Sequence, residues 1–434
     1  MKHTIAVIGA GGRESVLVES YSKSPQVGKI LVMPGNDLIQ SVSRIPVQTF
    51  PDVKTHEVDK IIHLCVKHHV TLVDIAQEAA VEAGLADLLA EKHILYTGPT
   101  KAAGQLEWDK AWARDFMSKF GIPHPQYHVF TSPSAGKKHI NSQSEGKWFI
   151  KASGLAEGKG VLPATNKQEA LEAIDQMTKF HQAGETFLIE EWLEGEEFST
   201  YVVTDGHSYQ IIGSAQDHKR AYNFDQGLNT GGMGCSSPPL LLTPKIIKQI
   251  DAKIIAPTIK GMAKLGRPYT GILYVGGMIS GGKPSVIEFN ARWGDPEAQV
   301  VVPGIKTDLY QISLAVAKKS LAKLRIKTDS KARVAVVGAS NGYPGDYSAV
   351  KGKRIFGLDR HFDGVQIYGA GITKTGRNYY AAGGRLFHLV GEGKTVLEAR
   401  QKAYSAISQI YLEGNNLHYR TDIGWRDVAR LTHS

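Results

Sequence analysis

Glu288 and Asn290 stand two residues apart in SVIEFNARWGDPEAQ (285–299), a run whose alternation reads as a strand entering a loop. That spacing puts both side chains on one face and directs Ile287 and Phe289 into the core. Two oxygen ligands so placed suit Mg2+, which takes few protein oxygens and completes its shell with water and substrate phosphates. Arg292 follows, where a guanidinium can stabilise charge on a transferring phosphoryl group. An edge strand with polar residues facing water is the alternative reading of the same pattern.

Four more segments offer chemistry that would fit beside it. IKASGLAEGKGV (150–161) resembles a Walker loop only superficially, because three residues separate Gly154 from Gly158 and Gly160 replaces the metal-binding Ser or Thr. β-like residues flank it on both sides, so it reads as a turn between strands. The backbone of Gly158 and Gly160, with Lys159, could close over a triphosphate, and Lys151 would supply a second cation. A plain glycine hairpin is the competing reading. FLIEEWLEGEE (187–197) ends an apolar run in five carboxylates, Glu190, Glu191, Glu194, Glu196 and Glu197. It is either a solvated acidic loop or a hinge whose backbone pairs with adenine while a glutamate accepts from ribose hydroxyls. In QDHKRAYNFDQGLNTGGMG (216–234), Lys219 and Arg220 beside Asp217 could hold a phosphate monoester, and NTGGMG leaves room for close ligand approach. VIGAGGRES (7–15) follows a strand and opens a helix, as a phosphate-binding turn does. Glu14, however, stands where a dinucleotide fingerprint needs its third glycine.

The order of apolar runs indicates the elements that must position these groups. TIAVIG (4–9), KILVMPG (29–35), TLVDIA (71–76) and ILYTGPT (94–100) alternate with helical stretches at about 14–23, 59–68 and 79–90. Such alternation means a parallel sheet covered on both faces, a doubly wound domain over residues 1–103. LEWDKAWARDFMSKFG (106–121) reads as one helix that stops at a glycine, with Pro123 beyond it. A mixed region of glycine-rich loops and β-like runs, 104–325, closes with a lysine-rich helix at 312–324. RVAVVGAS (333–340) opens a small mixed α/β domain, 326–434, with runs near 365–372 and 379–390 and a helix at about 396–411. The expected class is thus α/β and α+β multidomain.

Composition narrows the function classes. The chain has 434 residues, 42% hydrophobic and 21% charged, with a formal net charge of +9. Its lysines and arginines are scattered, with clusters no longer than pairs such as Lys137-Lys138, which suits an enzyme of anionic substrates better than a nucleic-acid binder. Cys65 and Cys235 are too few and too far apart for a disulfide framework or cysteine metal site, as in a reducing compartment. The first residues read as a strand rather than a leader, and no apolar run is long enough to cross a bilayer. A cytoplasmic enzyme of small-molecule substrates, with neither nucleic acid nor membrane as partner and a monomer or weak homodimer in assembly, is the expectation.

Taken in order, PGN (34–36), GPTKAA (98–103), LEWDKAWARDFM, GLAEGKGV, LEGEEFS, QDHKR, NTGGMG, EFNARWGDPE, GYPGDY (342–347), GGRL (383–386) and YRTDIGWR (419–426) resemble the ATP-grasp superfamily. Within it they are similar to the glycinamide ribonucleotide synthetases, or phosphoribosylamine–glycine ligases, over nearly the whole chain. The resemblance implies an ATP-grasp domain at 104–325 with a mobile lobe at about 124–192. It also implies the ligation of glycine to 5-phosphoribosylamine through glycyl phosphate, with ATP and Mg2+, Mn2+ being a possible substitute. Carried over by motif, Lys110, Lys151 and Lys159, with Gly158 and Gly160, would face the nucleotide phosphates, and Glu190, Leu193 and Glu197 the adenine and ribose. Glu288 and Asn290 would hold the metal, and Arg292, Lys151 and Asp295 would act on the reacting groups. Gly12, Arg13, Glu14, Glu78, Asp217, Lys219, Arg220, Asn229, Gly231 and Gly232 would meet the other substrates.

The chain departs from the family pattern at Ser15 and Gly369, each in place of histidine, and at Asp37-Leu38 in place of Ala-Gly. Further departures are Ala76-Gln77 in place of Gly-Pro and Ser153 in place of aspartate. Two other function classes therefore stand beside the first: a paralogous ligase of a different amine or carboxylate, and a non-catalytic nucleotide- or nucleic-acid-binding protein on the same scaffold.

Overall fold

The computed structural model describes residues 2–156 and 160–432. Strands β1 (His3–Gly9), β2 (Val27–Pro34), β3 (Val47–Thr49), β4 (Val70–Ile75) and β5 (Leu95–Thr97) pair in parallel in the order β3-β2-β1-β4-β5. Ile5, Val7 and Ile8 are fully buried, as strands covered on both faces require. The covering helices include α1 (Gly12–Ser22), α2 (Val58–Lys67), α3 (Glu78–Glu82) and α4 (Leu85–Glu91). The single helix expected at 79–90 is two, because Gly84 takes φ +82°, a left-handed conformation that a continuous helix excludes.

The helix expected at 106–121 is also divided, into α5 (Lys101–Trp108) and α6 (Lys110–Phe120). Asp109 between them is extended (φ −130°, ψ 92°) and its carboxylate accepts from the Trp112 N–H as an N-cap. The Lys110 N–H leaves the helical ladder altogether and donates to the Ser153 carbonyl at 3.0 Å. Leu106 and Phe116 pack with Val81 and Phe289 in one apolar cluster, which fixes both helices against the first sheet and the large one.

A small antiparallel sheet, β6 (Tyr127–Phe130), β7 (Trp148–Ala152), β8 (Val161–Ala164) and β9 (Phe187–Glu191), has the order β6-β9-β7-β8. Helices α7 (Pro133–Ser142) and α8 (Lys167–Gln176) accompany it. The chain then enters a nine-stranded sheet through β10 (Glu196–Asp205) and β11 (Tyr209–Asp217). A hairpin of β12 (Arg220–Tyr222) and β13 (Gln226–Asn229) precedes β14 (Gly234–Ser237), while β15 (Thr270–Ser280) and β16 (Lys283–Asn290) form the far edge. The same sheet continues through β17 (Ala332–Ser340) into the C-terminal strands Arg385–Gly393 and Val365–Gly369.

Three further expectations need correction. The helix expected at 312–324 ends at Ala317, where Lys319 turns to φ +52° and the Ser320 N–H bonds back to the Ala315 carbonyl. The helix expected at about 396–411 stops at Ile407, because Tyr411–Leu412 pairs instead with Arg354–Phe356. Ile287 does not point into the core: the register slips opposite Gly276 and Gly277, and this bulge turns Ile287 to the cleft described below.

Buried within β4, Asp74 accepts from the Tyr21 hydroxyl at 2.6 Å, and burial pushes its carboxyl up to about 7. A raised carboxyl favours the fold fully below its unfolded pKa, and the contribution is lost as pH rises through the folded value. Asp74→Asn is therefore expected to unfold at higher urea than the parent at about pH 8, by about 4 kcal/mol, with the gap closing by about pH 4. A gap independent of pH would refute this account of Asp74.

Candidate active site

The connection 192–195 carries the chain from β9 in the small sheet to β10 in the large one, and a cleft of about 760 Å3 opens between them. Because α6 starts at Lys110, Lys110 and Arg114 lie one helical turn apart, and both reach the cleft. Lys151, at the end of β7, places its ammonium 2.7 Å from Glu190 Oε2. Arg114 grips the same carboxylate with Nε and Nη2 at 2.7 and 2.9 Å. Burial alone would raise Glu190, but Arg114 and Lys151 outweigh it and hold the carboxyl at about 2. Burial lowers the Lys151 and Lys110 amines. The Glu190 carboxylate thus faces cations, while Leu193 and Glu197 line the space towards the hinge.

Across the cleft, Lys219 bridges two carboxylates, with Nζ 3.3 Å from Glu197 and 3.5 Å from Glu288. Burial would raise the Glu288 carboxyl, yet Lys219, Lys151, Lys110 and Arg292 together keep it at about 2. Asn290 is buried at the strand end, and among the described residues its side-chain nitrogen has no hydrogen-bond partner. Since amide O and N are assigned by their surroundings, a cation at that point would turn the oxygen inward. An ionised carboxylate beside an unsatisfied amide fits Mg2+, so Glu288 and Asn290 can hold it.

Arg292 is clamped from two sides, by Glu78 at 3.2 Å and by Glu107 at 3.2 Å, and Glu107 also accepts from the Ala291 N–H at 2.7 Å. Burial and the neighbouring Glu78 and Glu288 raise the Glu107 carboxyl, whereas Arg292 and Arg13 prevail over burial at Glu78 and lower it. Asp217, Arg220, Asn229 and Gly231 line the same wall, and burial beside Glu297 drives Asp217 well up. Gly232 lies behind it, where a Cβ would meet Pro296 Cδ at 2.4 Å. Gly160 lies at the mouth, its carbonyl accepting from the Ala152 N–H, whereas Gly158 and Lys159 fall outside the described residues.

Gly12, Arg13 and Glu14 lie behind this lining rather than in it. The Gly11 N–H donates to Glu14 at 2.5 Å and the Arg13 N–H to Asp295 at 3.2 Å, so carboxylates of the chain itself already occupy the start of α1. The Arg13 guanidinium is spent on Glu14 and the Trp293 carbonyl. Asp295 reaches the cleft while pairing with Arg385 and His388. Glu107, Arg114, Glu297 and Arg385 fall inside the family motifs but were given no role from sequence, and His388 lies outside them. Only Arg114 carried a usable sign, its four-residue spacing from Lys110.

The model described as phosphoribosylglycinamide synthetase, N domain, matches residues 3–107. The ATP-grasp (A) domain of the same family matches 108–298, and its C domain 333–426. The chain belongs to the phosphoribosylglycinamide synthetase family. It is 41% identical to the phosphoribosylamine–glycine ligase of Caulobacter vibrioides over 99% of each chain. The crystal structure of phosphoribosylamine–glycine ligase from Thermotoga maritima is similar at a TM-score of 0.81 and 29% identity, covering 97% of this chain and 100% of that one. The biotin carboxylase domain of Hydrogenobacter thermophilus 2-oxoglutarate carboxylase, in complex with MgADP, shares the fold (TM-score 0.73, 15% identity, 96% of this chain and 92% of that one).

In this member of the synthetase family Ser15, Asp37, Leu38 and Gly369 meet in one place. Ser15 Oγ donates to the Gly369 carbonyl at 2.9 Å, and Asn36 Nδ2 reaches the same carbonyl at 3.1 Å. A Cβ on Gly369 would come 2.6 Å from Leu38 Cβ, and Asp37 accepts from the Lys374 N–H. A small residue at 369 and a short donor at 15 therefore fit one another across 354 positions. The Ser153 hydroxyl donates to Asp109 and accepts from the Ala111 N–H, at 3.0 Å each, and so ties β7 to the start of α6.

Proposed function

We propose that the chain ligates glycine to 5-phosphoribosylamine, forming glycinamide ribonucleotide, ADP and phosphate. The observation that carries the reading is the facing of Glu288 and Asn290, fit for a divalent cation, against Lys110 and Lys151 across one cleft between two sheets. A glycine carboxylate oxygen attacks the γ-phosphorus and the bond to ADP breaks, giving glycyl phosphate. The amine nitrogen then attacks the acyl carbon, phosphate leaves, and the nitrogen gives up a proton. Lys110 and Lys151 neutralise nucleotide phosphates, while Arg292, held still by Glu78 and Glu107, faces the acyl phosphate. Bound Mg2+, or Mn2+ in its stead, supplies further neutralisation of phosphate charge.

The division of labour is by region: 1–103 and 326–434 flank the acceptor side, and 104–325 holds the nucleotide, with about 124–192 as the moving lobe. Two unpaired, buried cysteines suit work in the cytoplasm, and among the described residues no helix is long and apolar enough to cross a membrane. The relatives' shared name over nearly the full chain weighs against a different amine or carboxylate.

The test is phosphate release from Mg·ATP with glycine and freshly made phosphoribosylamine, each omitted in turn. Release that needs both, with glycinamide ribonucleotide seen by mass spectrometry, is the expected result. Release with another amino acid or amine, and none with this pair, would overturn the proposal.

A further inference from the structure

Arg114 is 3% exposed, and it ties its own helix α6 to two other elements without being one of the nucleotide-facing residues expected from sequence. Its fork closes on both oxygens of Glu190 in β9, and Nη2 also donates to the Ile287 carbonyl of β16 at 2.7 Å. Lys151 in β7 shares one oxygen of that carboxylate. Two cations thus meet one anion in a nearly dry site. A lone Glu190–Lys151 pair would be neutral, and the ammonium would be drawn wholly onto the carboxylate. With the guanidinium satisfying the carboxylate in two-pronged fashion, the cluster keeps one surplus positive charge and Lys151 needs only one of its three N–H groups for Glu190. The bond to Ile287, next to Glu288, also sets the height of β9 relative to the edge of the large sheet.

We infer that Arg114 is a positioning residue for nucleotide phosphates: it occupies Glu190 so that Lys151 stays available to the polyphosphate, and it holds the small sheet in register with β16. This rests on the reading of the cleft as an ATP site but not on the identity of the carboxylate or amine. Lys110 is not equivalent, since among the described residues its Nζ bonds to the Gly154 carbonyl at 3.4 Å rather than to Glu190.

The experiment compares Arg114→Lys, which keeps the charge and loses the fork, with Arg114→Met, using the full chain and direct binding of Mg·ADP and of adenosine. Arg114→Lys is expected to weaken Mg·ADP about tenfold and Arg114→Met about a hundredfold, the ranking following loss of one and then all charge-assisted bonds. Adenosine, which carries no phosphate, should bind Arg114→Lys within about twofold of the parent. Unchanged Mg·ADP binding in Arg114→Lys overturns the inference. So does equal weakening of Mg·ADP and adenosine, which would make Arg114 a support of the cleft as a whole. If Arg114→Met fails to fold, Arg114→Lys alone decides. Parent protein that binds neither ligand would instead refute the nucleotide reading itself, while Mg·ADP binding without ligase turnover would leave this inference standing and remove the glycine assignment.

Discussion

Glu288→Gln is expected to lower ATP-driven turnover by about a thousandfold or more, because it deletes the ionised ligand on which divalent-cation chemistry would depend while leaving the side chain's shape. Four cations, Lys219, Lys151, Lys110 and Arg292, act on this carboxylate strongly enough to overcome its burial. The neutral amide leaves them uncompensated. Two consequences separate loss of the metal site from general damage. Mn2+ binding, read by electron paramagnetic resonance in the presence of ADP, should disappear. Metal-free ADP should bind as tightly as before or more tightly, since the cleft has gained positive charge. Turnover within tenfold of the parent, or parent-like Mn2+ binding, would remove Glu288 from the metal's ligands. With Glu288 and Glu190 both held at about 2, neither changes charge near neutrality. Their contribution to stability is present above the ordinary carboxylate range and is lost only as pH falls towards 2. A decline of activity on mild acidification must therefore come from other groups.

What could be read in the chain was whatever depended on neighbours in sequence. The doubly wound first sheet follows from apolar runs alternating with helices, and period-two spacing brought Glu288 and Asn290 together. Period two failed one residue away. Ile287 turns to the cleft because Gly276 and Gly277 on the partner strand permit a bulge, and nothing in 285–299 records that. The unbroken helix expected at 106–121 failed for the same kind of reason. Asp109 is an ordinary N-cap residue once a helix starts at Lys110, but the start is imposed by the Ser153 carbonyl, which lies 43 residues further along the chain from Lys110. The glycine turn at 9–12 was read as a place for an external anion. Its local capping spacing, Gly11 to Glu14, already offered an internal one, and the second anion, Asp295, comes from 282 residues away. Arg385 and His388 were illegible because their meaning lies entirely in Asp295, which they meet across some ninety positions.

Asp295 sits where those distant pieces join, and Asp295→Ala is expected to be the most destabilising single change at the site. Its carboxylate meets Arg385 Nη1 at 3.2 Å, His388 Nε2 at 3.0 Å, the Arg13 N–H at 3.2 Å and Gln299 Nε2 at 3.0 Å. Burial should raise this carboxyl, but Arg385 and His388 overwhelm it and hold it well below the ordinary range. Removing one partner of such a buried set leaves the others charged or unbonded in a dry site, a loss of about 3–5 kcal/mol. The effect should reach function as well as stability. Arg385 also donates to the Gly231 carbonyl at 2.6 Å and the Asp295 carbonyl at 2.8 Å, so it ties the glycine loop of the cleft wall to the segment that carries Arg292. Freed from its carboxylate, Arg385 no longer fixes that wall, and kcat should fall about a hundredfold, more than the KM for ATP changes. Asp295→Asn, which keeps an acceptor but no charge, should lose about half as much stability. The dependence on pH gives an independent check. A carboxylate depressed in the folded state contributes fully above about pH 5 and loses its contribution only in acid. Urea midpoints of parent and Asp295→Ala should therefore differ by a constant amount between about pH 5 and 8 and converge as the pH is lowered further. A gap under about 1 kcal/mol at neutral pH would show that Arg385 and His388 find other partners, and that Asp295 is not what holds the three segments together.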